Sequence, residues 1–361
     1  MIHANKSHES TIFYLIFCNE ATFGRMNLML ANQTSVKLSV IIPNWNGKHL
    51  LKICLPSLKK QSFKDFEVVI VDNGSKDGSI EYIEKYFPEV KLIKLNENIG
   101  FAPAVNLGLK ICVGEMMVLL NNDTEVDKNC LKNLVRTADQ KKDIGFIAAK
   151  ILNFNNRKLI DSAGDYIDAV GHADNFGRGE SDSEKFNSPG PLFLATAGGS
   201  LFKREVFEKI GFFDHQYFAY MEDVDLCLRA QLAGIKGWYD PSAIIYHIHK
   251  ATSSKNPGFT EYLQYRNMTL TVIKNFPKKL LLKDFNWLKI ILVNINTIRY
   301  LAGIGHLKEA LKAQWYVLKT LPETLRKRAK IQSNIKVPID YIIENVKPKK
   351  ITFFGLLKNG I

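Results

Sequence analysis

The chain has 361 residues, enough for one large hydrophobic core or two smaller ones. Its apolar fraction of 46% and charged fraction of 24% are those of an ordinary globular protein, not of a disordered chain. No segment reaches the roughly 18 apolar residues that a transmembrane helix needs. The five cysteines are widely spaced and odd in number, so we expect reduced, buried thiols in a cytosolic protein rather than a disulfide framework or a zinc site.

The formal net charge of +13 is compatible with nucleic acid, anionic lipid or a polyanionic substrate as partner. The basic residues are conspicuous in the last third of the chain, where apolar and aromatic residues lie between them. That mixture favours a membrane surface over nucleic acid, because basic amphipathic helices bury an apolar face among lipid headgroups. Solvated helix faces are the alternative.

From Lys37 onward, short aliphatic segments alternate with helical ones. The predicted strands are 38–42, 67–71, 90–94 and 116–120, and the predicted helices are 50–60, 79–87, 101–113 and about 127–138. Strands that are apolar throughout and separated by helices indicate an α/β fold, with a parallel sheet covered on both faces.

The pattern changes after about Leu152. Residues 154–190 are rich in Gly, Asp, Asn and Ser, which predicts a long loop or a small irregular sheet over the pocket. A helix is expected to begin near the acidic cluster around residue 223. The chain then reads as helical from Tyr262 to about residue 330, with a basic tail beyond.

Polar motifs follow each of the four predicted strands. Ligands of open parallel sheets bind beyond the carboxyl ends of the strands, so these motifs predict a nucleotide-type pocket. The motifs are residues 44–47, 72–79, 96–100 and 121–124. No GxGxxG follows the first strand, which argues against a dinucleotide-binding enzyme.

Two of these motifs carry candidate ligand contacts. The segment LLNNDTEV ends a strand in Asn121, Asn122 and Asp123, whose oxygens suit a hard cation such as Mg²⁺ or Mn²⁺. The alternative is a strand end whose side chains only bond local backbone. Asp72 can accept the N3–H of a uracil or thymine, or it can simply hold its own loop in a turn.

A second block carries candidate catalytic groups. Glu222, Asp223 and Asp225 cluster at a predicted helix start, where carboxylates are also favoured for structural reasons. One of them facing a phosphate site can act as a general base, and Asp225 with Arg229 is spaced for an ordinary i,i+4 salt bridge. His247 shares a strand face with His249, and a neutral imidazole there can complete a metal shell or serve only structure.

Seven segments together resemble a known family. They occur in the order SVIIPNWNG, VDNGSKDGS, NENIGFAPAVNLGL, LLNNDT, GGSLFKREVFEKIGFFD, FAYMEDVDLCLR and YHIHKATSS. They resemble the family 2 glycosyltransferases of GT-A type and, more narrowly, the rhamnosyltransferase-like members that build bacterial surface polysaccharides. The resemblance implies a Rossmann-like, mostly parallel sheet with helices on both faces. The expected organisation is a poorly structured extension at 1–36, a GT-A domain at 37–275 and a helical, basic C-terminal region at 276–361.

The resemblance also implies roles for residues. Asp223 is the expected catalytic base, and Asn121, Asp123 and His247 are the expected ligands of a divalent metal. Asn121 is neutral where the family pattern has an acid, which puts the strength of the metal dependence in question. The residues expected to bind the nucleotide-sugar are Pro43, Asn44, Asn46, Asp72 (to the base), Asn73, Gly100, Phe101, Asn106, Asn122 and Glu222.

The expected activity is inverting transfer of a sugar, with rhamnose the first candidate, from a dTDP- or UDP-sugar to a saccharide or lipid-linked acceptor. The expected place is the inner face of the cell membrane, as a peripheral cytoplasmic protein that binds no nucleic acid. A non-catalytic relative that binds nucleotide-sugars in a membrane assembly is the main alternative. A nucleotidyltransferase is a second one, but NWNGKHL is a poor version of the Gly-rich basic loop it needs.

Overall fold

A computed structural model describes residues 12–14, 36–248 and 257–348. The strands are β1 (Ile12–Tyr14), β2 (Leu38–Asn44), β3 (Phe66–Asp72), β4 (Lys91–Lys94), β5 (Met116–Leu120), β6 (Thr124–Val126), β7 (Ile144–Asn153), β8 (Ile160–Ser162), β9 (Asp165–Ile167), β10 (Ala173–Asn175), β11 (Gly190–Leu192), β12 (Gly199–Lys203) and β13 (Lys236–His247).

The α-helices cover both faces of the sheet and the C-terminal third of the chain. They are α1 (Lys48–Lys59), α2 (Ser79–Tyr86), α3 (Phe101–Ile111), α4 (Cys130–Gln140), α5 (Arg204–Ile210), α6 (Glu222–Leu232), α7 (Pro257–Asn275), α8 (Lys278–Leu282), α9 (Asn286–Gly303), α10 (Leu307–Ser333) and α11 (Ile339–Asn345).

The central sheet has the strand order β1-β4-β3-β2-β5-β12-β7-β13-β11. The first five strands run parallel, β12 is antiparallel to both β5 and β7, and β13 runs parallel to β7. At its carboxyl end β13 also pairs with the short strand β6, and β8 pairs with β7. The predicted α/β architecture, a mostly parallel sheet with helices on both faces, is therefore confirmed.

The sequence located the first four core strands to within two residues, but it missed several details. Pro43 does not end its strand: β2 continues through it to Asn44. The predicted helix at about 127 begins only at Cys130, because residues 124–126 pair with β13 instead. Residues 12–14 form a strand beside β4, so the predicted extension is not wholly unstructured.

Alternate residues of the strands enter two hydrophobic clusters. In β2, Val40 and Ile42 face one cluster with α1, α2 and α4, whereas Ile41 faces the other with α3 and α6. This alternation follows from the two-residue period of a strand, and burial on both faces explains why the strand is apolar throughout. The described cysteines are reduced and buried: Cys54, Cys112, Cys130 and Cys227.

The C-terminal helices pack against the central sheet layer and α6. Val317 of α10 and Ile342 of α11 are buried in the same cluster as Ile41. The hydroxyl of Tyr341 donates a hydrogen bond of 2.8 Å to the Gln231 side chain of α6. The domain boundary expected at residue 275 thus falls between helices of one packed layer.

A buried ion network joins these helices to α6. Lys274, only 2% exposed, lies 2.5 Å from Asp214 and 2.8 Å from Asp225, and Lys327 of α10 lies 2.6 Å from Asp214. The predicted Asp225–Arg229 pair is present, with Nε 2.9 Å from Oδ2. Burial alone would raise the pKa of Asp214, but Lys274 and Lys327 outweigh it and hold that pKa well below its usual range.

We expect Lys274→Ala to lower the free energy of unfolding by about 3–5 kcal/mol, because it leaves two buried carboxylates without their shared cation. Urea unfolding at pH 7 measures the change, and Lys278→Ala, at an exposed position, should stay within about 0.5 kcal/mol of the parent.

The same network sets a pH dependence. Because the folded-state pKa of Asp214 is depressed, the stabilisation that its ionised form gives the fold is complete above the unfolded pKa of about 3.9 and declines as pH falls below it.

In the urea experiment, a loss of unfolding free energy in Lys274→Ala no larger than that in Lys278→Ala would contradict the role given to the network.

Candidate active site

The loops after β2 and β3 are joined by the side chain of Asn44. Its Nδ2 donates to Asp72 Oδ2 at 2.8 Å, and its Oδ1 accepts from Asn122 Nδ2 at 2.7 Å. Gly47 must lack a side chain here, since an added Cβ would come within 2.5 Å of both Asn122 and Asn44. Three separate polar motifs are therefore held at one sheet edge, as the sequence predicted.

Asp72 does not present a free oxygen at this edge. It is fully buried, with Oδ2 bonded to Asn44 and Oδ1 accepting from the backbone N–H of Ser75 at 2.8 Å. The alternative considered for Asp72, a turn that holds its own loop, is the arrangement observed. Because this carboxylate is fully buried, a direct contact to a base would require the loop around it to move.

The next residue is different. Asn73 is buried and donates from Nδ2 to the carbonyl of Gly100 at 3.2 Å, but its Oδ1 has no hydrogen-bond partner among the described residues. A buried acceptor without a partner is costly unless a ligand or water satisfies it. Sequence reasoning placed Asn73 in the site but assigned the base contact to Asp72.

Asn46 and Pro43 shape the same loops. Asn46 has a left-handed φ of 49°, its N–H donates to Ser75 Oγ at 2.8 Å, and its Oδ1 accepts from the N–H of Lys76. Pro43 is buried within β2. Both residues shape the loop backbone. The side-chain oxygen of Asn46 already accepts a hydrogen bond from that backbone, and Pro43 has no polar side-chain group.

The turn after β5 presents Asn121 and Asp123 in different directions. A Cβ added to Gly198 would lie 2.9 Å from Asn121 Nδ2, so that amide packs against the start of β12. The carboxylate of Asp123 instead faces β13, where its Oδ1 lies 3.3 Å from His247 Nε2. Antiparallel pairing of Thr124 with His247 brings these two residues together.

His247 lies between two carboxylates. Its Nδ1 is 2.6 Å from Oδ2 of Asp161 in β8, on the side opposite Asp123. Burial alone would lower the pKa of His247, but the hydrogen bonds and charges of Asp123 and Asp161 raise it to about 10, so a cation that binds Nε2 must displace its proton. His249 lies outside the described residues.

These residues fit a divalent cation with part of its shell supplied by phosphate. Two ligands at right angles, each about 2.1 Å from one ion, stand about 3 Å apart, close to the separation of Asp123 Oδ1 and His247 Nε2. Across the residues that the structure describes, no group of three or more His, Cys, Asp or Glu side chains is arranged to hold a metal. Mg²⁺-type sites commonly use one or two protein ligands plus substrate phosphates, so two protein ligands suffice.

The acidic cluster begins α6 after a strained turn. Tyr220 and Met221 both have left-handed φ values, 69° and 68°, which cost non-glycine residues about 1–2 kcal/mol each. The turn is braced from α7, since Nδ2 of the buried Asn267 donates to the carbonyls of Ala219 and Tyr220 at 2.8 and 2.7 Å. Such strain persists only where the surroundings enforce it, and here it precedes Glu222 and Asp223 directly.

Asp223 is a carboxylate in an unfavourable environment. Burial raises its pKa, although the backbone N–H groups of Ala197 and Val224 donate to it at 3.1 and 2.8 Å. Glu222 is buried beside it, and burial together with the Asp223 charge raises its pKa well above normal. Glu222 Oε2 has no hydrogen-bond partner among the described residues. A carboxyl group such as Glu222, whose pKa is raised by burial and by a neighbouring charge, is a candidate for a functional role.

A further carboxyl group was missed by sequence reasoning. Asp165 of β9 accepts hydrogen bonds from Ser162 Oγ and Asn175 Nδ2, and burial together with the charge of Asp223 raises its pKa to about 8. It lies in the segment read as a long loop or irregular sheet, where no periodic signal marks single residues. Asp225 is not part of this group, since it is committed to Lys274 and Arg229.

The start of α3 closes the site from the other side. Gly100 has φ of 101°, and an added Cβ would lie 2.5 Å from the carbonyl oxygen of Phe218; that same oxygen accepts from the N–H of Phe101. Asn106 is engaged elsewhere, because both ends of its amide bond the backbone of Phe213. The predicted contact between Asn106 and a donor is therefore not supported by its position.

Residues 39–211 match the family model described as Glycosyl transferase family 2. They form a family 2 glycosyltransferase domain. The fold agrees: the crystal structure of GalNAc-T7 with UDP, GalNAc and Mn²⁺ superposes with a TM-score of 0.58 at 16% identity, covering 85% of this chain and 59% of that one. The predicted GT-A fold is confirmed.

Curated relatives are similar at lower coverage. Glycosyltransferase GlyG of Streptococcus pneumoniae is 28% identical over 122 residues, which are 33% of this chain and 40% of GlyG. The N-acetylglucosaminyl-diphospho-decaprenol L-rhamnosyltransferase of Mycobacterium tuberculosis is 27% identical over 238 residues, 58% of this chain and 74% of that protein. The match to GlyG thus spans less than two thirds of the relative's own length.

Proposed function

We propose that the protein is an inverting, metal-dependent glycosyltransferase that moves a sugar from a nucleoside diphosphate to a hydroxyl acceptor. The observation that carries the proposal is the pairing of Asp123 with His247 at the carboxyl edge of a GT-A sheet. Asp223 is held by the N–H of Ala197, one residue before the Gly198 against which Asn121 packs. The mycobacterial relative supports a rhamnose donor and a lipid-linked saccharide acceptor for bacterial surface polysaccharide synthesis, which we adopt as the narrower proposal.

Each group has one task. Asp123 and His247 would hold a Mg²⁺ or Mn²⁺ ion, with Asn121 as an additional candidate ligand. Such an ion stabilises the negative charge left on the diphosphate. Asp223 takes the proton of the acceptor hydroxyl. As it does so, the oxygen of that hydroxyl attacks the anomeric carbon, and the bond from this carbon to the diphosphate breaks. Attack from the face opposite the leaving group inverts the anomeric centre.

Burial suits Asp223 for this task. A carboxyl group with a raised pKa is a stronger base once ionised, because its pKa lies closer to that of the acceptor hydroxyl. The N–H groups of Ala197 and Val224 fix its orientation, so that little reorganisation is needed when the proton moves.

We further propose that Asn73, not Asp72, contacts the base. The Oδ1 of Asn73 is the acceptor that lacks a partner, whereas both oxygens of Asp72 are engaged. A uracil or thymine offers one N3–H donor that this acceptor can take. This assignment keeps the expected UDP or dTDP donor but transfers the base contact by one residue.

The membrane partner rests on a surface of α9 and α10, which we call the apolar-basic face. Along α10, Leu307, Leu311, Trp315 and Leu318 recur at helical spacing and are 45–69% exposed. Three of these residues are directly followed by a lysine. The face comprises Trp287, Leu288, Ile291, Ile295, Leu307, Lys308, Leu311, Lys312, Trp315, Leu318 and Lys319.

An anionic lipid surface fits this face better than a second copy of the chain does. Residues 278–333 contain twelve Lys and Arg but three Asp and Glu, so a symmetric pair would bring like charges together. Headgroup phosphates complement the lysines, and the indole rings and leucines suit the acyl boundary. In the described part of the chain no helix is long and apolar enough to cross a bilayer.

Turnover is tested by measuring nucleotide release from UDP-, dTDP- and GDP-sugars with Mn²⁺, with Asp223→Asn alongside. We expect release from one donor, its loss with EDTA, and a fall in kcat of about 10²–10⁴-fold in the variant with UDP affinity retained, because only proton transfer is removed. Donor binding without release, even with membrane extract as acceptor, would favour the non-catalytic alternative.

The pH profile gives a second test of Asp223. The base works only when ionised, and burial raises its pKa, so the acidic limb of kcat/KM should have its midpoint above the value of about 3.9 for an ordinary aspartate. A limb centred at or below that value would contradict Asp223 as the catalytic base.

Base recognition is tested with Asn73→Ala. The matched control is Asn156→Ala, at an exposed position. Asn98 in the neighbouring loop is not a suitable control, because its Oδ1 accepts from the N–H of Gly100. We expect the Kd for UDP or dTDP to rise by about 5–150-fold in Asn73→Ala, the cost of about 1–3 kcal/mol for a lost buried hydrogen bond, with little change in kcat at saturation. Calorimetric titration measures it. An unchanged Kd would show that a group other than Asn73 contacts the base.

The membrane proposal is tested by sedimentation with vesicles of phosphatidylcholine alone or mixed with phosphatidylglycerol. We expect the full chain to bind only the anionic vesicles and Leu311→Glu with Trp315→Glu to abolish binding. Tyr86→Glu, an exposed aromatic position on α2, is the control.

Point substitutions are preferable to deletion after residue 275, since deletion would expose the core against which α10 and α11 pack. A salt-stable dimer that is lost in Leu311→Glu, with no vesicle binding, would instead make this face a self-association surface.

A further inference from the structure

Asp161 lies in β8, inside the segment that the sequence does not resolve into elements, and it touches His247. Its Oδ2 is 2.6 Å from Nδ1 of the imidazole, and its side chain is only 6% exposed. The bond is short and charge-assisted, so it fixes the ring plane more firmly than a neutral partner would.

The contact follows from strand pairing. His247 is registered with Asn153 of β7, and β8 runs antiparallel on the far side of β7. Thr124 of β6 is registered with His247 on the opposite side of β13. Asp161 and Asp123 are therefore brought to the two ring nitrogens of one imidazole from two different strands, and Nε2 can only face Asp123 while Nδ1 is held by Asp161.

We propose that Asp161 is a positioning residue of the divalent-cation site, acting through His247 and not on the ion itself. A carboxylate on the distal nitrogen of a ligating histidine fixes its tautomer, orients its ring and makes the ligating nitrogen a better electron donor. This inference deepens the proposed function, since it presupposes that His247 binds the ion.

Other charges near Asp161 do not replace this role. Arg178 Nε lies 3.8 Å from Asp161 Oδ1, a longer contact to the other carboxylate oxygen, and Arg178 is half exposed. That guanidinium leaves Oδ2 available to the imidazole. The contact with His247 gives this buried acid a partner.

The test measures Mn²⁺ affinity directly, by the electron paramagnetic resonance signal of free Mn²⁺ during titration of the full chain with and without UDP. We expect Asp161→Ala to weaken Mn²⁺ binding by about 10–100-fold. Asp161→Asn keeps an acceptor for Nδ1–H but loses the charge, so its loss should be smaller. The Mn²⁺ concentration for half-maximal rate should rise in both variants, and more in Asp161→Ala than in Asp161→Asn.

The matched control is Asp174→Ala, which removes another acid near Arg178 that lies 3.5 Å from that guanidinium. It should leave Mn²⁺ affinity unchanged. Because Asp161 is proposed to act through the histidine, His247→Ala combined with Asp161→Ala should bind Mn²⁺ no more weakly than His247→Ala alone.

Three results would overturn the proposal, and they separate it from the proposed function. If Asp161→Ala and Asp161→Asn lower the melting temperature but leave Mn²⁺ affinity at the parent value, the pair is only structural and the metal site stands. If the loss from Asp161→Ala persists in full on the His247→Ala background, Asp161 does not act through the histidine. If the parent binds no Mn²⁺ or His247→Ala binds it as the parent does, the metal assignment fails, and the role of Asp161 falls with it.

Discussion

The pairing of β13 with β6 on one side and β7 on the other is the constraint on which the candidate site depends. His247 is 124 positions beyond Asp123 in the sequence, and only the Thr124–His247 register brings their side chains within 3.3 Å. Because side chains alternate along a strand, a slip of one residue would turn the imidazole to the opposite face. Backbone hydrogen bonds fix this register on both sides of β13. The N–H of Ile248 donates to the carbonyl of Asp123, and the N–H of Phe154 donates to the carbonyl of His247.

The opposite wall of the site is held by charge rather than by strand register. Helix α6 starts at a turn with two left-handed residues, and its second turn is fixed by the buried carboxylate of Asp225 between Lys274 and Arg229. Both Lys274 and Asn267 come from α7, so a helix beyond the matched family region supports the backbone that carries Asp223. The C-terminal helices are in this sense part of the site's support, and this explains why the core continues into them without a boundary.

Sequence reasoning located the parts of the fold that have strong local signals. Strands β2, β3, β4 and β5 are buried on both faces, so each is a continuous apolar run that periodicity can find. The short strands β8, β9 and β10 have three residues each, too few to show a period, and Asp161 and Asp165 were missed with them. Strand β6 was not predicted, because its pairing with β13 depends on residues far away in the sequence.

At the level of single side chains, the sequence identified residue types but not their partners. It placed Asp72, Asn73 and Asn44 together at one sheet edge, yet it had no means of knowing which oxygen would remain unpaired. That outcome is decided by the Asn44 amide and the Ser75 N–H, which satisfy Asp72 and leave Asn73 Oδ1 without a partner. The same limit applies to Asn106, whose amide matches the backbone of Phe213, a contact that spans 107 residues.

The carboxyl groups around Asp223 bear on the stereochemistry. A retaining enzyme of the two-carboxylate kind needs an ionised second carboxylate to attack the sugar. Asp165 is close enough for the Asp223 charge to affect its titration, but with a pKa of about 8 it is mainly protonated at neutral pH, and both Ser162 and Asn175 donate to one of its oxygens. The pKa of Glu222 is likewise raised well above normal by burial and by Asp223. Burial thus favours the protonated form of both neighbours, and a single-displacement transfer requires only one carboxylate to act as base.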